Sequence, residues 1–245
     1  MVSGREVRLR AVVFDLDDTL LPEWQYVRSA YGAVARHLHG DGDEAREAQA
    51  WLRARFQAGQ HAGALDALLE RSGREGTAAA LLEVYRSHLP RVRLAPGVRA
   101  TLRDLRGAGL RLGVISDGPR MTQRRKVEAL GLEELVDEVR LTDDWGRDYW
   151  KPHERAYRDL ELAWGLAGPE LAYIGDNLGK DFVAPRALGW RTVCLRRRRQ
   201  VHAARRAGPE GQPDVTVRSW RALGALLRGW QEVLPRGGAE EMLEG

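Results

Sequence analysis

The chain has one cysteine, Cys194, in 245 residues, so no disulfide can form within it. A protein kept in a reducing compartment is expected to look like this. It also lacks any uninterrupted apolar run near the ~20 residues of a membrane-crossing helix. Residues 1–10 hold no apolar stretch of signal-peptide length. The cytoplasm is therefore the expected location, with no membrane partner. A large excess of either charge is missing too: the formal net charge is +4, and much of it sits in Arg196–Arg199, Arg205 and Arg206. No aromatic residue interleaves that run, which favours a solvated loop over a nucleic-acid surface. His37, His39 and His61 have no metal-ligand spacing, and no internal repeat is present.

What remains is the composition of an ordinary soluble protein. Hydrophobic residues make up 43% and charged residues 30%, enough for a buried core beneath a charged surface. At about 150 residues per domain, one or two domains are expected, as monomer or homodimer. Ala11–Phe14 is a short apolar run ending at Asp15, the pattern of a strand buried on both faces of a parallel sheet. From about Trp24 to His88 the spacing is helical. Val27, Ala30, Tyr31, Val34 and Leu38 share one face, and Gly40–Asp43 break the pattern. From Leu94 onwards helices and strands alternate, with strands expected at Leu110–Ser116, Val136–Leu141, Leu171–Gly175, Arg191–Leu195 and Asp214–Val217. This predicts an α/β fold: a doubly wound parallel-sheet (Rossmann-like) core. The helical block after the first strand reads as an inserted α-helical cap domain. The expected division is a core over 8–21 and 93–235, a cap over 22–92 and a disordered tail over 236–245.

Four polar clusters punctuate the α/β pattern: Asp15-Leu16-Asp17-Asp18-Thr19, Ser116-Asp117-Gly118, Lys151-Pro152, and Gly175-Asp176 through Lys180-Asp181. A parallel sheet gathers the carboxyl ends of its strands on one edge, so clusters far apart in sequence can meet. Carboxylates that meet repel, which raises their pKa values or demands a cation. A hard divalent ion such as Mg²⁺ is the natural answer where phosphate is handled. A lysine, a small hydroxyl and backbone N–H groups complete a set for binding an oxyanion. Together these describe a phosphoryl-transfer site.

These motifs, in this order, resemble the haloacid dehalogenase-like superfamily over about residues 10–200, in its phosphatase branch with a cap of the first class. The resemblance implies that Asp15 attacks phosphorus and forms an aspartyl-phosphate. It implies that Asp17 is the general acid and then the general base. It places Mg²⁺ on the Asp15 carboxylate, the Asp17 backbone carbonyl and Asp176, with Asp181 behind them orienting a water or Lys151. Ser116 and the N–H groups of Asp117 and Gly118 would hold phosphate oxygens, Lys151 would offset the charge of Asp15 and the phosphate, and a cap would select a small phosphorylated metabolite.

Other readings stand beside this one. A phosphomutase would share Asp15 and Asp17, and an inactive binding module would keep the fold alone. A 2-haloacid dehalogenase would lack the second acid, so Asp17 speaks against it. Asp18 reads as a turn or N-cap acceptor, Thr19 as a local bond or a support for Asp15, Lys180 as a rival to Lys151, and Cys194 as a small core residue. Trp145, Tyr149 and Trp150 wall the site or pack locally.

Overall fold

The computed structural model describes residues 7–197, 200–201 and 206–232. Residues 236–245, expected to be disordered, fall outside these, as do Arg198, Arg199 and Arg205 of the basic run. Strand β1 (Ala11–Phe14) leads into four helices, α1 (Glu23–His39), α2 (Asp43–Gln57), α3 (Ala64–Ser72) and α4 (Ala78–Ser87). There follow α5 (Val98–Gly107), β2 (Arg111–Ser116), α6 (Arg120–Leu130), β3 (Glu138–Leu141) and α7 (Arg155–Trp164). The chain continues with β4 (Leu171–Gly175), α8 (Val183–Ala187), β5 (Arg191–Leu195), β6 (Val215–Val217) and α9 (Trp220–Gln231).

The strands form one parallel sheet in the order β3-β2-β1-β4-β5-β6. Helical connections explain why every pair is parallel, because a parallel pair needs a long crossover. β1 is buried along its whole length, and its alternate side chains feed two different cores. Val12 and Phe14 pack with Leu102, Val127 and Leu223 of α5, α6 and α9. Ala11 and Val13 pack with Tyr157, Leu160 and Phe182 on the other face. Full burial of one such Val or Phe side chain contributes about 1.5–3 kcal/mol. The period of two is what turns a continuous apolar run into a three-layer sandwich.

The helices between β1 and α5 have their own apolar cluster, built on Val34, Leu52, Leu68 and Leu81. Tyr26 and Ala30 of α1 instead join the core beneath the sheet, so α1 belongs to both. The break expected at Gly40–Asp43 falls between α1 and α2, where Gly40 has a φ of +73° and donates to Arg36 O at 2.8 Å. No helix among the described residues is long and apolar enough to cross a membrane.

The chain runs outward from β1 through β2 to β3, and outward again from β4 through β5 to β6. The order therefore reverses between β1 and β4, and open α/β sheets bind ligands in the crevice at such a point. Phe14 pairs in register with Val114 and with Ile174. One residue beyond it stands Asp15, and one residue further along the neighbouring strands come Ser116 at the end of β2 and Asp176 just past β4.

Candidate active site

Asp15 continues its strand, its N–H donating to Ile174 O at 2.8 Å, which directs its side chain into the crevice. The carboxylate is buried and accepts a hydrogen bond from Lys151 Nζ. Lys151 Nζ also lies 2.9 Å from Asp181 Oδ1 and donates to Tyr173 Oη at 2.9 Å. One buried ammonium thus serves two carboxylates, and burying it without them would cost several kcal/mol. Burial works against the Lys151 charge, but Asp15 and Asp181 outweigh it and hold its pKa well above the usual lysine value.

Asp15, Asp176 and Asp181 each present a carboxylate oxygen within 4.8 Å of the others, and all three are buried. Asp181 Oδ2 accepts from the N–H groups of Asp176 and Asn177 at 3.1 and 2.9 Å, so Asp181 is locked into the turn after β4. Asp176 Oδ2 is buried with no hydrogen-bond partner among the described residues. Burial, reinforced by the Asp15 and Asp181 charges, pushes the Asp176 carboxyl up to about 9. Burial pushes Asp15 up to about 7, with Lys151 pulling the other way and Asp181 adding to the rise. An all-oxygen set with an unsatisfied buried oxygen and mutual repulsion fits a hard divalent cation.

Asp17 contributes differently. Its side chain turns from the acid cluster towards α6, where Lys126 Nζ donates to Oδ1 at 2.7 Å and Oδ2 at 2.8 Å. Gln123 Nε2 donates to Asp17 Oδ2 at 2.8 Å and also lies 2.6 Å from Ser116 Oγ and 2.8 Å from Asp117 O. The sequence reading missed Gln123 and Lys126. A signal for them exists: they fall at steps of three and four with Val127 and Leu130, on the helix face that is otherwise apolar.

Ser116 is buried at the end of β2 near Asp15. Asp117 has a side-chain task besides its backbone one. Its Oδ1 accepts from Thr142 Oγ1 at 2.8 Å and from Lys151 N at 3.0 Å, and its Oδ2 from Lys180 Nζ at 2.6 Å. It therefore ties β2 to the lysine loop. Burial works to raise its pKa, but Lys151 and Lys180 prevail and hold it below the usual range. Lys151 Nζ makes the direct contact with Asp15, whereas Lys180 Nζ pairs with Asp117 Oδ2. Gly118 has a φ of +129°, which strains any other residue, and a Cβ there would crowd Gln123 Cδ at 3.1 Å.

Asp18 takes the turn and capping role read from the sequence. It has a φ of +54°, and its carboxylate accepts from Glu23 N at 2.9 Å, at the start of α1, and from Val201 N at 2.6 Å. Arg197 departs from the solvated-loop reading. Its Nη2 donates to Asp18 O at 2.9 Å and Thr19 O at 3.0 Å, bracing the turn after Asp15. Thr19 Oγ1 is buried with no partner among the described residues. Desolvation and the Asp17 charge push Glu23, half-buried on the first turn of α1, up to about 8. Cys194 is buried in β5, and burial pushes its thiol up to about 12, as befits an inert core residue. Trp145 and Tyr149 pack under the Arg155 guanidinium, and Trp150 Nε1 donates to Asp143 Oδ1 at 3.0 Å. These are local packing roles.

The fold and this site define a class: an α/β enzyme with a buried carboxylate at the end of the central strand and an acid cluster around it. The family described as haloacid dehalogenase-like hydrolase matches residues 9–189, and the chain belongs to it. The chain is 28% identical over 199 residues to a glyceraldehyde 3-phosphate phosphatase of Methanopyrus kandleri, covering 77% of this chain and 84% of that one. It is 32% identical over 152 residues to a phosphoserine phosphatase of Thermus thermophilus, covering 62% and 58%. Its fold is similar to that of the HAD-hydrolase YfnB from Bacillus subtilis, solved bound to magnesium, with a TM-score of 0.65, 20% identity and coverage of 90% and 99%. The enzyme is a phosphatase.

Proposed function

We propose that the protein is a Mg²⁺-dependent phosphohydrolase that removes phosphate from a small phosphorylated metabolite through an aspartyl-phosphate on Asp15. The observation that carries this reading is the buried Asp15 carboxylate, held by Lys151 Nζ at the end of the central strand beside the unsatisfied Asp176. An Asp15 oxygen attacks phosphorus, and the bond from phosphorus to the leaving oxygen breaks. Asp17 gives that oxygen a proton. A water then attacks the aspartyl-phosphate, Asp17 takes the water's proton, and inorganic phosphate leaves. Lys151 and the backbone N–H groups at Asp117 and Gly118, with Ser116 Oγ, neutralise or bind the oxygens that gain charge.

Asp15, Asp176 and the Asp17 backbone carbonyl would hold Mg²⁺, with Asp181 keeping Asp176 and Lys151 in place. The cation, when bound, supplies positive charge that lets the carboxylates stay ionised and stabilises the phosphoryl oxygens. Residues 22–92 act as the cap that selects the leaving group. A cavity of about 770 Å³ lies where that block meets the core loop, lined by Trp24, Arg28, Arg53, Phe56, Gln200 and Val201. The relatives' names point to phosphorylated metabolites of a few carbons.

The test is phosphate release from p-nitrophenyl phosphate and a panel of phosphorylated metabolites, with and without EDTA. Turnover should require Mg²⁺ and vanish in Asp15→Asn. Asp17→Asn should keep Mg²⁺ binding and lose about 10²–10⁴ in turnover. Full turnover in Asp15→Asn would remove the nucleophile assignment.

A further inference from the structure

We infer that Gln123 and Lys126, one turn apart on α6, are positioning residues that aim the Asp17 carboxyl at the leaving oxygen. The inference rests on the reading of Asp17 as acid and base. Lys126 is 3% exposed and Gln123 1%. A buried ammonium adds little to stability compared with an apolar side chain of the same volume, so it needs another reason to be there. Lys126 Nζ contacts the two Asp17 oxygens and the face of Tyr26, 4.3 Å from the ring centroid. A leucine or methionine would fill the same space against Tyr26. The charge also acts on the nearby Glu23 carboxyl and the Tyr26 ring, but its hydrogen-bonded ion pair is with the Asp17 carboxylate.

Gln123 supplies the second restraint. Its amide reaches Asp17 Oδ2, Ser116 Oγ and Asp117 O together, so it fixes the distance between the acid and the group expected to hold phosphate. A Cβ at Gly118 would crowd that amide. An acid that must meet one leaving oxygen and then one water gains from a locked rotamer, and a displacement of about 1 Å can cost about 10²-fold. Two donor groups on one helix face, making three hydrogen bonds to Asp17, supply the lock.

The prediction is selective. Misaiming the acid should harm esters with poor leaving groups and spare those whose leaving group needs no proton. The experiment measures kcat/KM of the full chain with Mg²⁺ for a series of substituted phenyl phosphates, from p-nitrophenyl to phenyl. This parameter reports the step in which the leaving oxygen departs. Lys126→Met should lose less than about tenfold with the nitrophenyl ester and about 10²–10³-fold with the phenyl ester. Lys126→Arg, which keeps the cation, should recover at least about tenfold of the phenyl loss. Gln123→Met should steepen the series in the same direction.

A structural role alone would lower the whole series in parallel. Parallel loss in Lys126→Met, beside a steep series in Asp17→Asn, overturns the positioning role and leaves the acid in place. A flat series in Asp17→Asn overturns the acid and this inference with it. Should Lys126→Met fail to fold, Gln123→Met decides: a steeper series supports the role and a parallel one refutes it.

Discussion

Asp176→Asn should stabilise the metal-free protein while removing its response to magnesium. Asp176 shares a space of 4.8 Å with Asp15 and Asp181, and Lys151 pairs directly with the latter two. Two unit charges about 4.8 Å apart repel by about 3 kcal/mol at an effective dielectric constant of about 20. Asp176 meets two such neighbours, partly offset by Lys151. Replacing its carboxyl by an amide of the same shape should therefore relieve about 1–3 kcal/mol at alkaline pH. For a chain of this size that is a rise in Tm of roughly 2–10 °C.

The pH dependence has a definite sign. Burial and its neighbours raise the folded-state pKa of Asp176 from 3.8 to about 9, and that of Asp15 from 3.8 to about 7. Between about pH 4 and pH 9 the folded protein holds protons that the unfolded chain has released. Stability is then highest at the acid end and falls as pH rises through that window. The melting temperature of wild type in EDTA should drop from pH 5 to pH 9, and millimolar Mg²⁺ should restore it at the alkaline end. In Asp176→Asn the slope should be shallower, the pH 9 value higher, and the Mg²⁺ effect lost. Thermal melts across this range, with EDTA and with MgCl₂, check all three. If the EDTA melts of the two proteins coincide at pH 9, or Mg²⁺ raises both equally, the reasoning about the cluster is wrong.

Lys151→Met should be among the most damaging changes, since it leaves the buried Asp15 and Asp181 carboxylates without their cation. A loss of about 3–5 kcal/mol is expected, readable by urea denaturation at pH 8. Gly175→Ala should also fail: the added Cβ would stand 2.5 Å from Asp181 Oδ2, and Asp181 is fixed by two N–H groups and Lys151. Loss of Mg²⁺-induced stabilisation, larger than that of an alanine placed at Gly107 on the open side of α5, would show the effect is specific.

Much of the design is legible in the order of the residues. The apolar run Ala11–Phe14, the alternation after Leu94 and the helical spacing between them specify a doubly wound sheet with helices inserted after its first strand. That information is local and periodic, so it survives in one dimension. The motif residues Asp15, Ser116, Lys151, Asp176 and Asp181 could be named because strand ends of a parallel sheet converge on one edge and because their order resembles the family's motifs. The three-dimensional fold decided what each side chain does there. Asp17 turns to Lys126 rather than to the acid cluster, Asp117 carries Lys180 and Thr142, and Arg197 braces a turn almost 180 positions earlier in the chain. Contacts over such separations depend on which helix face meets which strand end, and no spacing along the chain records that. The reversal of strand order between β1 and β4 places Asp15 next to Asp176, and it is a property of the sheet alone.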